Sequence, residues 1–275
     1  MGRRLGISLA VSLLVLAGCS SELSGPVSTP TQVPSTNSLT PAAVSGSFVV
    51  GGGRTLHMEC SGEGSPTIIL EAGDESGIEL WSQIMPDVGE LTRTCAYDRA
   101  GIGLSDPATG CRGLTDLTGD LERLLTAAAV PGPYVLVAAS GGGFIASGFA
   151  ADHRESIAGV VFVDVPGPFL NPPGDLVELL KCNAPSNIER RDYLRVEHDG
   201  WDARAEIGDI PVTIFSVDYG PQASLEAEKT NVDVQKGWLI FSPRATQVVV
   251  RTGHDVANED PQRVIDEIAQ ILAGI

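Results

Sequence analysis

The chain has 275 residues, of which 43% are hydrophobic and 19% are charged. This length accommodates one domain with a full hydrophobic core, or such a domain and a tail. The formal net charge of −17 implies an acidic surface, which repels phosphate backbones and excludes nucleic acid as an expected partner.

The N-terminus has the features of an export signal. Arg3 and Arg4 precede an apolar run over 5–16 that is too short to span a bilayer comfortably. Small residues then lead directly to Cys19, and this pattern resembles the lipobox of bacterial lipoproteins, in which the cysteine receives lipid and becomes the new N-terminus. The resemblance implies a lipoprotein signal peptide over 1–18 and an extracytoplasmic protein held at the cell membrane only through lipid on Cys19. The alternative is an ordinary secretion signal with a chance cysteine.

The next segment differs in composition from the rest of the chain. Residues 19–45 are rich in Ser, Thr and Pro and carry almost no charge. Such a segment cannot bury enough apolar surface to offset the entropy lost on ordering. We therefore predict a flexible tether that joins the lipid to a folded domain over 46–275.

Within 46–275, short apolar segments alternate with segments of helical spacing. Three glycines at 51–53 separate the first two strand patterns and permit a tight hairpin. Residues 167–208, called the lid insertion below, lack strand character and hold two short helical patterns. Strands are predicted over 47–50, 55–60, 66–70, 93–97, 134–138, 159–163, 212–217 and 246–250. Helices are predicted over 80–91, over 117–129 with a cap at Thr115 and Asp116, after the 140–143 segment to about 152, and over 261–272.

This order predicts the fold class. Strands that alternate with helices indicate βαβ units and a mainly parallel sheet, and continuous apolar strands fit burial on both faces. The two hairpin-linked strands would add an antiparallel edge. An α/β protein with an eight-stranded sheet, helices on both faces and a small helical lid after the sixth strand resembles the α/β-hydrolase fold.

The main chemical signal lies between the fifth strand and the next helix. Residues 138–142 read Ala-Ala-Ser-Gly-Gly, and the nucleophile elbow of α/β-hydrolases reads G-x-S-x-G at the same junction. Small neighbours are needed there because the turn is sharp, and Ala138 is the smallest replacement for the usual glycine. Ser140 is therefore the candidate nucleophile, and the alternative is an ordinary glycine-rich start of a helix.

A general base should follow late in the chain, after the last strand. His254 lies there, between the final strand and the final helix. The other histidines are placed less well: His57 lies in an early strand, His153 ends the helix after the elbow, and His198 lies in the lid insertion. We predict that His254 is the base.

Three longer segments resemble a bacterial family of α/β-hydrolases: 65–73, which matches its third strand and oxyanion loop, 97–106, which follows the fourth strand, and 131–137, which leads into the elbow. The resemblance implies hydrolysis of an ester, or more generally an acyl bond, of a small molecule through an acyl-enzyme. The oxyanion would be bound by the backbone N–H groups of Gly141 and Asp74. Relatives usually carry an apolar residue in place of Asp74, whose carboxylate would repel the oxyanion unless it turns away or is neutralised. If it points into the pocket, it could bind a cationic part of the substrate.

The acid that orients the histidine has two candidates. Asp218 follows the seventh strand, the usual place, but about two residues early. Asp164 ends the sixth strand, where some relatives place their acid. Either could reach a histidine above the sheet.

Four cysteines remain besides Cys19, and export permits disulfides. The resemblance implies a bond between Cys60 and Cys95, which leaves Cys111 to bond Cys182 and tie the lid insertion to the loop after the fourth strand. The alternative is buried free thiols.

The chain has no H-E-x-x-H, C-x-x-C, acidic calcium-loop or phosphate-loop motif. No metal or other cofactor is implied, and nothing points to a protein partner. Other interpretations are a cofactor-free haloperoxidase or a peptidase on the same fold, or a non-catalytic lipoprotein that binds a ligand. Enzymes of this fold with an aspartate nucleophile are disfavoured because Ser140 occupies the elbow.

Overall fold

The computed structural model describes residues 44–168, 174–205, 207–223 and 226–275. The predicted signal peptide, the predicted lipidation site Cys19 and most of the predicted tether lie outside these residues. The first strand begins at Ser45, one residue before the predicted start of the domain.

The strands form one eight-stranded sheet. Their order across the sheet is β1-β2-β4-β3-β5-β6-β7-β8, with antiparallel pairing for β1–β2 and β2–β4 and parallel pairing for the rest. The predicted architecture is therefore confirmed. The strands are β1 Ser45–Gly51, β2 Arg54–Ser61, β3 Thr67–Glu71, β4 Thr94–Tyr97, β5 Tyr134–Ala139, β6 Ile157–Val163, β7 Val212–Val217 and β8 Ala245–Val250.

Helices cover both faces of the sheet. They are α1 Met85–Leu91, α2 Leu114–Ala127, α3 Gly142–Asp152, α4 Gly174–Leu180, α5 Tyr193–Ala203, α6 Glu226–Gln235, α7 Val256–Glu259 and α8 Pro261–Ala273. Shorter 3₁₀ helices span Ile78–Trp81, Arg154–Ser156, Gly220–Gln222 and Lys236–Phe241.

The central strands alternate their side chains between two hydrophobic layers. Ile69 and Leu136 pack in the layer that contains α2 and α3, whereas their neighbours Ile68 and Val135 pack in the layer that contains α1 and α8. All four side chains are fully or almost fully buried, as expected for parallel strands covered on both faces. This double burial fixes the carboxyl ends of the strands, where the candidate site lies.

Two local predictions were wrong, and one helical segment was missed. The predicted helix over 80–91 is divided into a 3₁₀ helix and α1, with Pro86 in the first turn of α1. Helix α2 begins three residues earlier than predicted and has Gly113 at its N-cap, where Asp116 accepts the Gly113 N–H at 2.9 Å. Thr115 and Asp116 are therefore inside its first turn. Helix α6 and the 3₁₀ helix after it were not predicted.

The described part of the lid insertion contains α4 and α5, as predicted. Helix α5 packs directly on α3, since the Ser147 hydroxyl donates to the Gly200 carbonyl at 2.7 Å. The structure joins Cys60 to Cys95, the pair that the resemblance implied, and Cys111 to Cys182, the pair that then remained. The second bond attaches the lid insertion to the segment before α2.

Candidate active site

Ser140 lies on a sharp bend between β5 and α3. Its φ of +49° is unusual for a residue with a side chain, and the bend is held by hydrogen bonds from the Ser140 N–H to Val163 and from the Gly143 N–H to Ser140, each 3.0 Å long. A Cβ on Gly142 would lie 2.2 Å from the Ala72 carbonyl. Glycine at 142 therefore allows the loop after β3 to approach the bend closely.

The structure brings His254 to this bend. The loop after β8 places its Nε2 atom 2.9 Å from the Ser140 Oγ atom. Its Nδ1 atom is 2.6 Å from Oδ2 of Asp164. A proton on Nδ1, shared with the carboxylate, leaves Nε2 free to accept the hydroxyl proton of the serine.

Asp164 is buried at the end of β6, and its φ is +48°. Its Oδ1 atom accepts hydrogen bonds from the Val217 N–H at 3.2 Å and from the side-chain amides of Asn231 and Gln235, both at 2.8 Å. Its Oδ2 atom accepts from the Tyr219 hydroxyl at 2.7 Å. These contacts hold the carboxylate in one orientation, with Oδ2 facing the imidazole.

The same contacts shift both titrating groups. Burial acts to raise the pKa of Asp164, but hydrogen bonds from His254, Gln235 and Tyr219 outweigh it and lower the pKa below its usual range. The bond to Asp164 raises the pKa of His254 above its usual value, against the opposing effect of burial. The acid is thus kept ionised and the imidazolium is stabilised.

The second candidate acid, Asp218, is placed differently. Its carboxylate accepts the N–H of Gly220 at 3.1 Å and lies 3.4 Å from the Arg251 guanidinium. It makes no hydrogen bond to His254. The structure therefore corrects the alternative that Asp218 orients the histidine, because the turn after β7 directs its side chain toward β8.

The loop that follows β3 lies directly beside the serine. A Cβ on Gly73 would lie 3.2 Å from the Ser140 Cβ atom. The N–H groups of Asp74 and Gly141, the predicted oxyanion donors, make no hydrogen bond to any group in the described ranges. The Asp74 carboxylate neither turns away from the bend nor stays unpaired, since it forms an ion pair with Arg191 of the lid insertion. It is therefore not a free anion for a cationic substrate.

A buried arginine supports this loop from below. Arg99, which is 3% exposed, donates to the carboxylates of Glu71 at 2.6 Å and Glu189 at 2.7 Å. It also donates to the carbonyls of Ala72 and Gly73, at 2.7 and 2.5 Å. Burial acts to raise the pKa of Glu189, but the charge of Arg99 outweighs it and lowers the pKa to about 2.

Sequence reasoning missed several of these residues. Arg99 lies in a segment that resembles the hydrolase family, so its motif was visible although its role was not assigned. Asn231, Gln235, Glu189 and Arg191 carry no motif, and nothing in the sequence marked them.

A cavity of about 230 Å³ opens beside the serine and histidine. Apolar side chains line much of it, those of Leu80, Val163, Val256 and Ala257, and Ser76 and Asp255 add polar groups. Among the described residues, no group of three or more His, Cys, Asp or Glu side chains is placed to hold a metal ion. In the same ranges, no helix has the length and apolar character needed to cross a membrane.

The comparisons with known proteins agree with this architecture. A family model described as the alpha/beta hydrolase fold matches residues 66–187. The Bacillus subtilis protein YqjL is 36% identical over 103 residues, which are 38% of this chain and 41% of YqjL. The chain spans less than half the length of the sequence relatives that it matches.

Two solved structures show the same likeness. An esterase from Thermogutta terrifontis is 18% identical with a TM-score of 0.67, covering 83% of this chain and 98% of the esterase. The carboxylesterase CesB from Bacillus subtilis is 16% identical with a TM-score of 0.62, covering 84% of this chain and 92% of CesB. At these identities the likeness concerns the fold.

Proposed function

Because the chain has the α/β-hydrolase fold, we propose that it is a serine hydrolase that cleaves the ester bond of a small substrate through an acyl-enzyme on Ser140. One observation carries the proposal: the hydroxyl of Ser140, the imidazole of His254 and the carboxylate of Asp164 form a continuous chain, with contacts of 2.9 and 2.6 Å. This arrangement suits nucleophilic catalysis because the imidazole can accept the hydroxyl proton as the oxygen attacks.

The reaction would begin with attack of the Ser140 Oγ atom on the ester carbonyl carbon. His254 takes the serine proton on Nε2, and the ionised Asp164 stabilises the resulting imidazolium. The carbonyl oxygen becomes an oxyanion that accepts hydrogen bonds from the backbone N–H groups of Gly141 and Asp74. The intermediate then expels the alcohol, which leaves with the proton from His254, and an acyl ester remains on the serine.

Water completes the cycle by the same route. His254 removes a proton from the water as the water attacks the acyl carbon, and it returns a proton to the serine oxygen as the acid leaves. The cavity beside the serine, about 230 Å³ in volume and partly lined by Leu80, Val163 and Val256, favours a short apolar acyl group.

The test combines a covalent probe with a substrate series. A fluorophosphonate should label the wild-type protein at Ser140, found by peptide mass spectrometry, and should leave Ser140→Ala unlabelled. p-Nitrophenyl esters of increasing chain length should show the highest kcat/KM for short chains. A wild-type protein that is folded, is not labelled and hydrolyses none of these esters would refute the proposal and favour a binding protein.

We also propose that the protein is exported and anchored through lipid on Cys19. The two disulfides support export to an oxidising compartment, and the small residues directly before Cys19 support the lipid anchor. Metabolic labelling with a radioactive or alkyne-tagged fatty acid in a bacterial host should mark the wild-type protein and not Cys19→Ala. Equal labelling of both proteins would contradict this assignment.

A further inference from the structure

Arg191 connects the lid insertion to both sides of the proposed oxyanion hole. Its side chain is fully buried. Its Nη1 atom donates to the Asp74 carboxylate, and its Nη2 atom donates to the Gly141 carbonyl at 2.9 Å. The two residues that it holds are the ones whose N–H groups would bind the oxyanion.

The Asp74 carboxylate is packed against the elbow. A Cβ on Gly141 would lie only 2.0 Å from the Asp74 Oδ1 atom, so the carboxylate fills the space that glycine leaves open. A negative charge this close to the elbow would oppose the development of an oxyanion. The guanidinium of Arg191 supplies the compensating charge.

The segment that carries Arg191 is itself firmly held. Arg191 and Arg112 form a short parallel bridge, and the Asn187 side chain bonds the N–H and carbonyl of Arg191 at 3.2 and 2.7 Å. The bond between Cys111 and Cys182 joins the same two segments. The guanidinium also lies over the ring of a tyrosine in α5, 5.0 Å from its centroid. The lid insertion thus delivers the charge at a fixed place.

We propose that Arg191 is a positioning residue for the oxyanion hole, which it serves by neutralising Asp74 and by holding Gly141 in place. The inference rests on the proposed acyl-transfer function. It explains how the chain carries an aspartate where relatives usually carry an apolar residue. It also makes Asp74 and Arg191 a coupled pair, so that the effect of losing Arg191 depends on whether Asp74 is charged.

Phosphonylation of Ser140 measures the hole directly, because the phosphonyl oxygen enters it during attack. In Arg191→Met we expect the second-order rate constant of fluorophosphonate labelling, and kcat for p-nitrophenyl acetate, to fall about 30- to 100-fold. This is less than the loss of about 10²- to 10³-fold for removing an oxyanion donor outright, because both N–H groups remain. KM should change less than about threefold, because the hole acts on the transition state. Asp74→Asn combined with Arg191→Met should recover about tenfold relative to Arg191→Met alone, because the unpaired charge is gone.

The pH profile gives a second readout that a purely structural role would not move. The charge of Asp74 is among the influences that raise the pKa of His254. In Arg191→Met the uncompensated carboxylate should shift the acid limb of kcat/KM to higher pH, and the added Asp74→Asn change should reverse the shift.

Arg54→Met is the matched control, since Arg54 is a partly buried arginine on β2 that pairs with Asp120 of α2. It should be labelled at the wild-type rate. If Arg191→Met does not fold, as judged by circular dichroism, Arg191→Lys replaces it. Lysine keeps the charge but cannot donate to both acceptors as the planar fork does, so labelling should slow about tenfold with an unchanged acid limb.

The outcomes separate the two proposals. Wild-type protein that resists the probe and hydrolyses no ester overturns the proposed function itself. Wild-type protein that reacts, together with an Arg191→Met or Arg191→Lys variant that reacts equally fast, overturns the role of Arg191. An Asp74→Asn change that brings no recovery in the Arg191→Met background overturns the neutralisation argument.

Discussion

Replacing Asp164 with asparagine should abolish most of the activity for a reason that the hydrogen bonds specify. The Oδ1 atom of Asp164 accepts from three donors, namely Val217, Asn231 and Gln235. In Asp164→Asn the amide oxygen should keep this position, because an NH₂ group there would face three donors. The NH₂ group must then take the Oδ2 position and point at the imidazole.

An NH₂ group at that position would donate to the Nδ1 atom of His254. The imidazole proton would then lie on Nε2, which could no longer accept the proton of Ser140. We expect kcat to fall about 10³- to 10⁴-fold, a loss of about 4–5 kcal/mol of transition-state stabilisation. The residual acid limb of kcat/KM should move to lower pH, because the carboxylate that raises the pKa of His254 is gone.

The assay is steady-state hydrolysis of p-nitrophenyl acetate over a range of pH, with circular dichroism as the check on folding. Asp218→Asn is the matched control, because its carboxylate contacts Gly220 and Arg251 and not His254. It should keep wild-type kcat within about twofold. If Asp218→Asn loses activity while Asp164→Asn keeps more than a tenth of it, the orienting acid has been misassigned.

Three further outcomes follow from the same contacts. Tyr219→Phe removes a hydroxyl that donates to Asp164 at 2.7 Å. Loss of one hydrogen bond of about 1 kcal/mol should lower kcat about 3- to 10-fold, and an unchanged kcat would contradict this. Cys111→Ser with Cys182→Ser opens a disulfide that spans 71 residues. The unfolded chain gains freedom, so the free energy of unfolding in urea should fall by about 4 kcal/mol, and a loss below about 1 kcal/mol would contradict this. The pKa of His254 is raised, so on acidification the neutral imidazole is protonated at a higher pH than usual. The acid limb of kcat/KM should therefore have its midpoint above about 6.5. A midpoint below that value would refute the direction of the shift.

The sheet, the elbow and the position of the histidine were predictable because they depend on local patterns. Apolar strands buried on both faces leave continuous hydrophobic runs, and the sharp bend at Ser140 requires small neighbours that are visible in the sequence. His254 follows from the order of strands, since the loop after the last strand opens at the carboxyl edge of the sheet, where the elbow lies.

The choice between Asp164 and Asp218 was not predictable from local patterns. It depends on which carboxylate is held toward the histidine, and two of the donors that hold Asp164 come from α6. The sequence of that helix, EAEKTNVDVQ, is mostly polar and has little apolar periodicity, so the helix itself was missed. Asn231 and Gln235 could not be linked to Asp164, which is 67 and 71 residues away in the chain.

The buried charges pose the same difficulty in a stronger form. Glu189 and Arg191 lie in a polar part of the lid insertion and look like ordinary surface residues, yet both are fully buried. An unpaired charge at either position would be costly. Glu189 is paired with Arg99, which is 90 residues away in the chain, and Arg191 is paired with Asp74, which is 117 residues away. The lid insertion is therefore part of the scaffold of the candidate site and not only a cover. We expect substitutions in it to change kcat as well as substrate access, because its charges stabilise the loop that receives the oxyanion in the proposed mechanism.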